Sequence, residues 1–330
     1  MKIDSIAYLI GGELKNSPSI SEITGFSFEA SKVKRGDLFF AVDKEEIDEA
    51  VRNRAFGIVF EGWAQITDNE IAWIKTGSLE NAALRLLRFF LINNQSKIIF
   101  LDSVSYEIAQ QINDSKKLLF FTDSVFENCK KLYKNSDTEY VAISDMDFIK
   151  TLSLDFEIPK TIAELKIIKS TLFETSFLYE NEFFEHIRIS PLFINELKKT
   201  VGFFKNSALD FSLKKLHEIS HFKPHFVDKH LNIVEFGKSD KVLITESNPS
   251  LLEKETLFIN KNATWAKKVI LAHSKYKKIL GYNNNYLYFN SNGELAEILQ
   301  NRKFNYALIA GNDISNITHF AKKPVQPTLF

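Results

Sequence analysis

Residues 23–42 read ITGFSFEASKVKRGDLFFAV. Two runs within them, 23–28 and 37–42, are rich in β-branched and aromatic residues, and Gly36-Asp37 carries a turn signal, so the stretch reads as strand, turn, strand. Working outward, a short helix over 3–10 precedes it and is stopped by Gly11-Gly12. A helix at 44–54, strands at 57–61 and 71–75 and a helix at 78–91 follow, with Ser78 and Asn81 where the last helix should start. Further on, buried-type strands at 97–101, 117–121 and 140–143 alternate with helices at 106–112 and 125–133, the pattern of a parallel α/β sheet. After Pro159 the pattern changes: 165–179 and 182–189 flank Glu180-Asn181 and read as a long hairpin, with a helix at 193–204 beyond. From about Pro224 the alternation returns, with strands at 241–245, 264–272, 278–280, 286–289 and 306–310 and a helix at 294–301. This reads as a small open α/β domain.

The 330 residues carry 42 basic and 42 acidic side chains and are 45% apolar, the balance of a globular protein of two or three domains. Wholesale disorder is excluded, and zero net charge argues against bulk binding to nucleic acid or anionic lipid; a local patch is a separate matter. Cys129 is the single cysteine, which excludes an internal disulfide framework and a cysteine-rich zinc site. The longest apolar runs are too short to span a bilayer, and the start of the chain does not read as a signal peptide, so a cytoplasmic protein is expected. Thirty phenylalanines, several in pairs such as Phe39-Phe40, Phe89-Phe90 and Phe203-Phe204, fall in predicted strands and helices, where they fill the core rather than stack on bases.

Residues 23–42 resemble the start of the Mur ligases, which add amino acids or D-alanyl-D-alanine to UDP-muramoyl peptides. Ala30-Ser31-Lys32 stands for the family's aspartate-serine-arginine triplet, Arg35-Gly36-Asp37 for its proline-glycine-aspartate turn, and Leu38-Phe39-Phe40-Ala41 for the strand that follows. The resemblance makes Ser31 and Lys32 the ligand-contact candidates, at the UDP end of the substrate. The family's next glycine-rich segment is absent, because Val42 runs straight into DKEEIDEAV. Towards the other end, Phe222-Lys223-Pro224 resembles the phenylalanine-x-proline closing the family's central domain. Asn248-Pro249 falls at its tyrosine-asparagine-alanine-asparagine-proline loop, and 307–311 at its last core strand.

The family's chemistry needs a glycine-rich loop that wraps phosphates, a lysine on the β- and γ-phosphates and a Ser/Thr on Mg²⁺. The strand at 97–101 should lead into that loop, yet it is followed by Asp102-Ser103-Val104-Ser105-Tyr106-Glu107, with neither glycine nor lysine. No G-x-x-x-x-G-K-[ST] occurs anywhere, and no glycine stands between Gly77 and Gly202. Asp102 and Glu107 would repel an anion at that helix start. Other family positions are degenerate too. Val242 and Leu243 replace aspartates, Glu246 replaces an asparagine, Val227-Asp228 replaces glycine-arginine with Lys229 beside it, and Ala310 replaces a late lysine. The segment between 112 and the hairpin is too short for the family's metal-binding and active-site residues.

Two further groupings call for a reading. His217, His221, His225 and His230 cluster with Asp228, and His217 and His221 would share one helix face. Pro224 breaks that helix and no H-E-x-x-H is present, so the segment reads as a polar helix end and surface loop rather than a metal site. The last residues, QPTLF, resemble the bacterial sliding-clamp-binding peptide through Gln326, Leu329 and Phe330.

The expectation is an α/β protein of Mur-ligase-like three-module architecture: an N-terminal UDP-binding-type domain at 1–92 and a reduced central α/β domain with a β-hairpin excursion at 93–223. A small Rossmann-like domain at 224–322 and a tail at 323–330 complete it. The expected role is a catalytically degenerate relative, with no catalytic residue, metal or cofactor. It would bind a UDP-muramoyl-type small molecule or act as scaffold or regulator among peptidoglycan-precursor enzymes. The alternatives are a divergent active ligase using ATP and Mg²⁺, and a sliding-clamp-associated protein.

Overall fold

The computed structural model describes residues 1–281 and 285–311. The chain forms two compact units, Met1–Asp102 with Asp114–Pro159, and Ser103–Asn113 with Lys160 onward.

The first unit begins α1 (Ile3–Ile10), β1 (Glu13–Leu14), β2 (Gly25–Ser27), β3 (Asp37–Phe40), α2 (Ile47–Arg52), β4 (Gly57–Glu61), β5 (Ala72–Thr76) and α3 (Leu79–Asn93). Its sheet has the order β1-β5-β4-β3-β2, with β2 to β5 parallel and β1 antiparallel at one edge. All four residues of β3 are buried. Successive side chains point to opposite faces, so Leu38 and Phe40 join one core, with α1 and α3, while Phe39 joins another with Ile47, Ile58 and Trp73. That is why DLFF shows no polar alternation. α1 ends where Gly11 takes φ +67°, its N–H bonding back to Tyr8. α3 starts as expected, Ser78 Oγ accepting from the Asn81 N–H at 3.2 Å.

The chain continues through β6 (Lys97–Phe100), α4 (Ser103–Ile112), β7 (Leu118–Phe120), α5 (Val125–Lys134), β8 (Tyr140–Ile143), α6 (Met146–Leu152) and β9 (Phe156–Glu157). Here α4 belongs to the second unit. The strands form a parallel sheet of order β7-β8-β6-β9. Leu86, Leu87 and Phe90 of α3 share a core with Val125, Cys129 and Leu132 of α5, so the two sheets of this unit have a common interior. Burial pushes the Cys129 thiol far up, which leaves it inert.

The second unit contains β10 (Lys166–Ser170), β11 (Thr175–Tyr179), β12 (Glu182–Ile187), α7 (Ile194–Asn206), β13 (Lys223–Phe226), β14 (Val242–Glu246) and α8 (Leu252–Asn262). It continues with β15 (Lys268–His273), α9 (Lys277–Leu280), β16 (Tyr286–Phe289), α10 (Asn292–Asn301) and β17 (Tyr306–Ala310). Its large sheet has the order β13-β14-β17-β15-β16, parallel except for β13.

Several expectations change. The long first arm at 165–179 is two strands, making the excursion a three-stranded antiparallel sheet. Thr171 Oγ1 accepts from the Phe173 and Glu174 N–H groups and so makes a turn without glycine or proline. Residues 278–280 lie in the helical turn α9, not a strand; it follows a 3-10 turn that His273 caps through Nδ1. Pro224 breaks no helix. It sits in β13, where an edge strand tolerates the missing donor, and His217 with His221 is not helical. Helices α6 and α8 add to the expected elements; α6 is started by Asp145 accepting from the Asp147 and Phe148 N–H groups.

Candidate functional site

In the first unit, β2, the residues that follow it and the face of α5 carrying Lys130, Tyr133 and Lys134 line a cavity of about 190 Å³. Lys32 lines it from the 3-10 turn Ala30–Lys32, together with Lys34, Lys130 and Lys134 and the rings of Phe26, Phe28 and Tyr133. Ser31 lies on the same turn but is exposed and outside the lining, so of the two resemblance-based candidates the structure brings only Lys32 to the cavity. Tyr133 is held edge-on to Phe26 at 5.4 Å and stacked on Phe90 at 5.7 Å. Asp37 Oδ2 accepts the Lys34 N–H at 2.8 Å, which fixes the turn before β3.

Glu29 sets the electrostatics here. Its carboxylate lies 2.6 Å from Lys130 Nζ and 2.5 Å from Lys32 Nζ, and these hydrogen bonds bring its pKa down to about 2. Burial acts to lower the Lys130 ammonium, but hydrogen bonds to Glu127 and Glu29 outweigh it and leave it above its ordinary value. Lys34 and Lys134 are exposed and not ion-paired among the described residues. Lysines beside aromatic rings can hold an anion carrying a planar group. Lys130, Tyr133 and Lys134 were missed by sequence reading because they lie about a hundred positions from Lys32; their spacing on one face of α5 is the only local signal.

The second grouping lies at the carboxyl end of β14. Glu246 is fully buried, accepts the Phe222 N–H at 3.0 Å and the Asn248 N–H at 2.5 Å, and stands 2.6 Å from His221 Nδ1. His221 is itself buried, which corrects its reading as a surface-loop residue. Burial opposes its charge, but the hydrogen bond and charge of Glu246, the Glu107 charge and the Ser103 carbonyl raise its pKa, which favours the imidazolium. Glu246 is held ionised: burial alone would raise its pKa, and hydrogen bonds from His221 and Glu255 overcome that. Glu255, fully buried on α8, finds no N–H or O–H donor of another residue among the described residues. Burial, then the adjoining Glu246, raise its pKa well above the ordinary range, which favours its protonated form.

Around this core Glu107 of α4 accepts from the Ser220 N–H (2.8 and 3.0 Å) and Ser220 Oγ (2.8 Å). Asn248 caps the turn Pro249–Leu251 through Oδ1 and donates from Nδ2 to Ser103 Oγ at 3.0 Å. Asn248 and Pro249 are thus together, whereas Asp228 is at the other end of β14, because Phe226 pairs with Val242. There Asp228 closes a turn by accepting from His230 and Asn232. The four histidines do not converge: His225 Nε2 faces Thr245 Oγ1 at 3.0 Å, and no group of three His, Cys, Asp or Glu suited to a metal occurs among the described residues. Gln326, Leu329 and Phe330 lie outside the described residues. No helix among the described residues is long and apolar enough to cross a membrane.

No protein-family model matches the chain, and no curated protein matches it. Solved structures do. The fold is similar to that of MurF from Acinetobacter baumannii, with 10% identity and a TM-score of 0.55, covering 98% of this chain and 99% of that one. Similar too are the MurF ligase from Thermotoga maritima in complex with ADP, at 11% identity and TM-score 0.48 over 90% of this chain and 96% of that one, and folylpolyglutamate synthase from Thermotoga maritima, at 10% and 0.40 over 72% and 92%. The chain has an α/β, Mur-ligase-like fold.

Proposed function

We propose that this protein binds a UDP-muramoyl-type ligand without ligating it, and serves as a scaffold or regulator among peptidoglycan-precursor enzymes of the cytoplasm. The observation that carries the reading is Lys32, picked out by resemblance at a UDP-contact position, beside Lys34, Lys130, Lys134 and three aromatic rings around one cavity. A diphosphate would meet the ammonium groups, and a planar base would find the rings.

The start of α4 does not suit a nucleotide triphosphate. Residues 101–107 contain no lysine or glycine, Ser103 Oγ is engaged by Asn248, and the Glu107 carboxylate is held there by Ser220. No ATP-dependent step is therefore assigned to these residues.

Calorimetry with a UDP-N-acetylmuramoyl peptide tests the proposal. Binding at millimolar or tighter Kd is expected, weakened about tenfold in Lys130→Ala through loss of one charge-assisted contact. Absence of binding at millimolar ligand would remove the ligand-binding reading. Phosphate release from ATP that depends on the muramoyl peptide and D-alanyl-D-alanine would establish the active-ligase alternative instead.

A further inference from the structure

The strands β14, β17 and β15 begin at one level, since Val242 and Lys268 both pair with Tyr306. Asn305 ties these starts together. Its N–H donates to the Lys267 carbonyl (2.8 Å), its carbonyl accepts from Val242 (2.7 Å), and its side chain bonds the Lys267 N–H and the Asp240 carbonyl. That frame gathers Lys241, Lys267 and Lys268 with Arg302 and Lys303, which directly precede it in the chain. None of the five is ion-paired among the described residues, and Lys267, Arg302 and Lys303 are exposed. Asp240 and Asp228 are the carboxylates whose charges reach Lys241, whose ammonium packs over the Phe304 ring at 4.5 Å.

Trp265 stands at the same end, 69% exposed, and is braced by the Tyr306 ring at 6.1 Å and 64°. The sequence around it is locally one-signed: residues 256–272 contain three lysines and no carboxylate, in a chain of zero net charge.

We propose that this end of the second unit's sheet binds single-stranded nucleic acid, a base stacking on Trp265 and the phosphates lying along the five cations. An exposed indole held from one side offers a face to any base, which gives binding without sequence preference. Lys267, Arg302 and Lys303 are exposed and make no ion pair among the described residues, so phosphates neutralise them and release counterions. The frame is a braced strand end rather than an amphipathic helix that could sink into lipid. Duplex DNA buries its base faces and leaves Trp265 without a partner.

Fluorescence anisotropy of a labelled twenty-nucleotide oligothymidylate, titrated with the full chain between 50 and 200 mM salt, reads this directly. Expected is binding whose log–log salt slope becomes shallower by about 0.7 for each cation removed in Lys267→Ala and Arg302→Ala. Trp265→Ala should weaken binding about tenfold at unchanged slope. All three positions are exposed, and unchanged thermal unfolding and circular dichroism keep the variants comparable with the parent chain. The proposal is overturned by absence of oligonucleotide binding at 50 mM salt, or by binding indifferent to all three substitutions. Equal or tighter binding to the corresponding duplex, or to phosphatidylglycerol vesicles, overturns it as well.

Discussion

Glu29 holds the two ammonium groups that a ligand phosphate would need. Its carboxylate bridges Lys32 and Lys130, and with a pKa of about 2 it stays ionised throughout the physiological range. A bound diphosphate must displace it, so Glu29→Gln is expected to tighten a UDP-muramoyl ligand several-fold by weakening the internal competitor. Calorimetry on the variant checks this, and weaker binding would mean that Glu29 itself contacts the ligand. A second residue-level expectation concerns Gly202 in α7, where an added Cβ would lie 2.3 Å from the Thr161 carbonyl oxygen. Gly202→Ala gains about 1 kcal/mol of helix propensity. Overpacking against backbone costs roughly 1–3 kcal/mol. The net outcome is a lower urea midpoint at unchanged m-value. Lys32 was legible because it belongs to a short local motif. Glu29 stands beside that motif, but its role depends on Lys130, which no local pattern joins to it.

The elements were legible to the extent that their own sequence carries the signal. Strand β4 keeps the expected residues because GIVF is a continuous apolar run closed by the exposed Glu61, and α3 begins where Ser78 caps it. The turn at 171–174 and β13 were not, one lacking glycine and the other containing Pro224. The buried carboxyl groups on β14 and α8 left one readable trace. α8 buries Leu252, Glu255 and Ile259, so Glu255 occupies the apolar face by spacing alone. What it meets there, Glu246 and through it His221, follows only from the fold. These three residues make the second unit sensitive to pH in a direction that can be worked out. His221 and Glu255 have raised folded pKa values, so their stabilisation is full below their unfolded values and is lost as pH rises through the folded ones. Glu246 has a lowered value, so its contribution is present above its unfolded value and disappears as pH falls through the folded one. Stability should therefore fall on the acid side below about pH 4.5 through Glu246, and on the alkaline side from about pH 4.5 upward through Glu255 and from about pH 6.5 upward through His221. Glu255→Gln removes the titrating carboxyl at nearly the same size and should flatten the alkaline limb. Melting temperatures from pH 4 to 9 for both proteins test it, and an unaltered alkaline limb would exclude Glu255 as its source.

For the whole molecule, a fold similar to that of MurF from Acinetobacter baumannii at 10% identity means that the architecture is held while most individual residues differ. The α/β class was legible in that pattern; the two compact units were not, because α4 leaves the unit of the strand before it in the chain, β6, for reasons of tertiary packing. The two units allow function to be assigned by which of them a ligand stabilises. The lysine-lined cavity lies wholly in the first unit, and the start of α4 belongs to the second. A ligand at a hundred times its Kd stabilises the unit that binds it by about 2.7 kcal/mol. For a unit of this size that amounts to a rise of roughly 5–10 °C in its own transition. Scanning calorimetry with a UDP-muramoyl peptide should therefore raise the melting of the first unit, and Lys32→Ala with Lys130→Ala should abolish the rise. Millimolar Mg-ATP should move neither transition, since the segment after β6 offers carboxylates where phosphates would need ammonium and N–H donors. A rise in the second unit's transition with Mg-ATP, lost on Ser103→Ala, would instead make the start of α4 a working nucleotide site and reinstate the ligase reading.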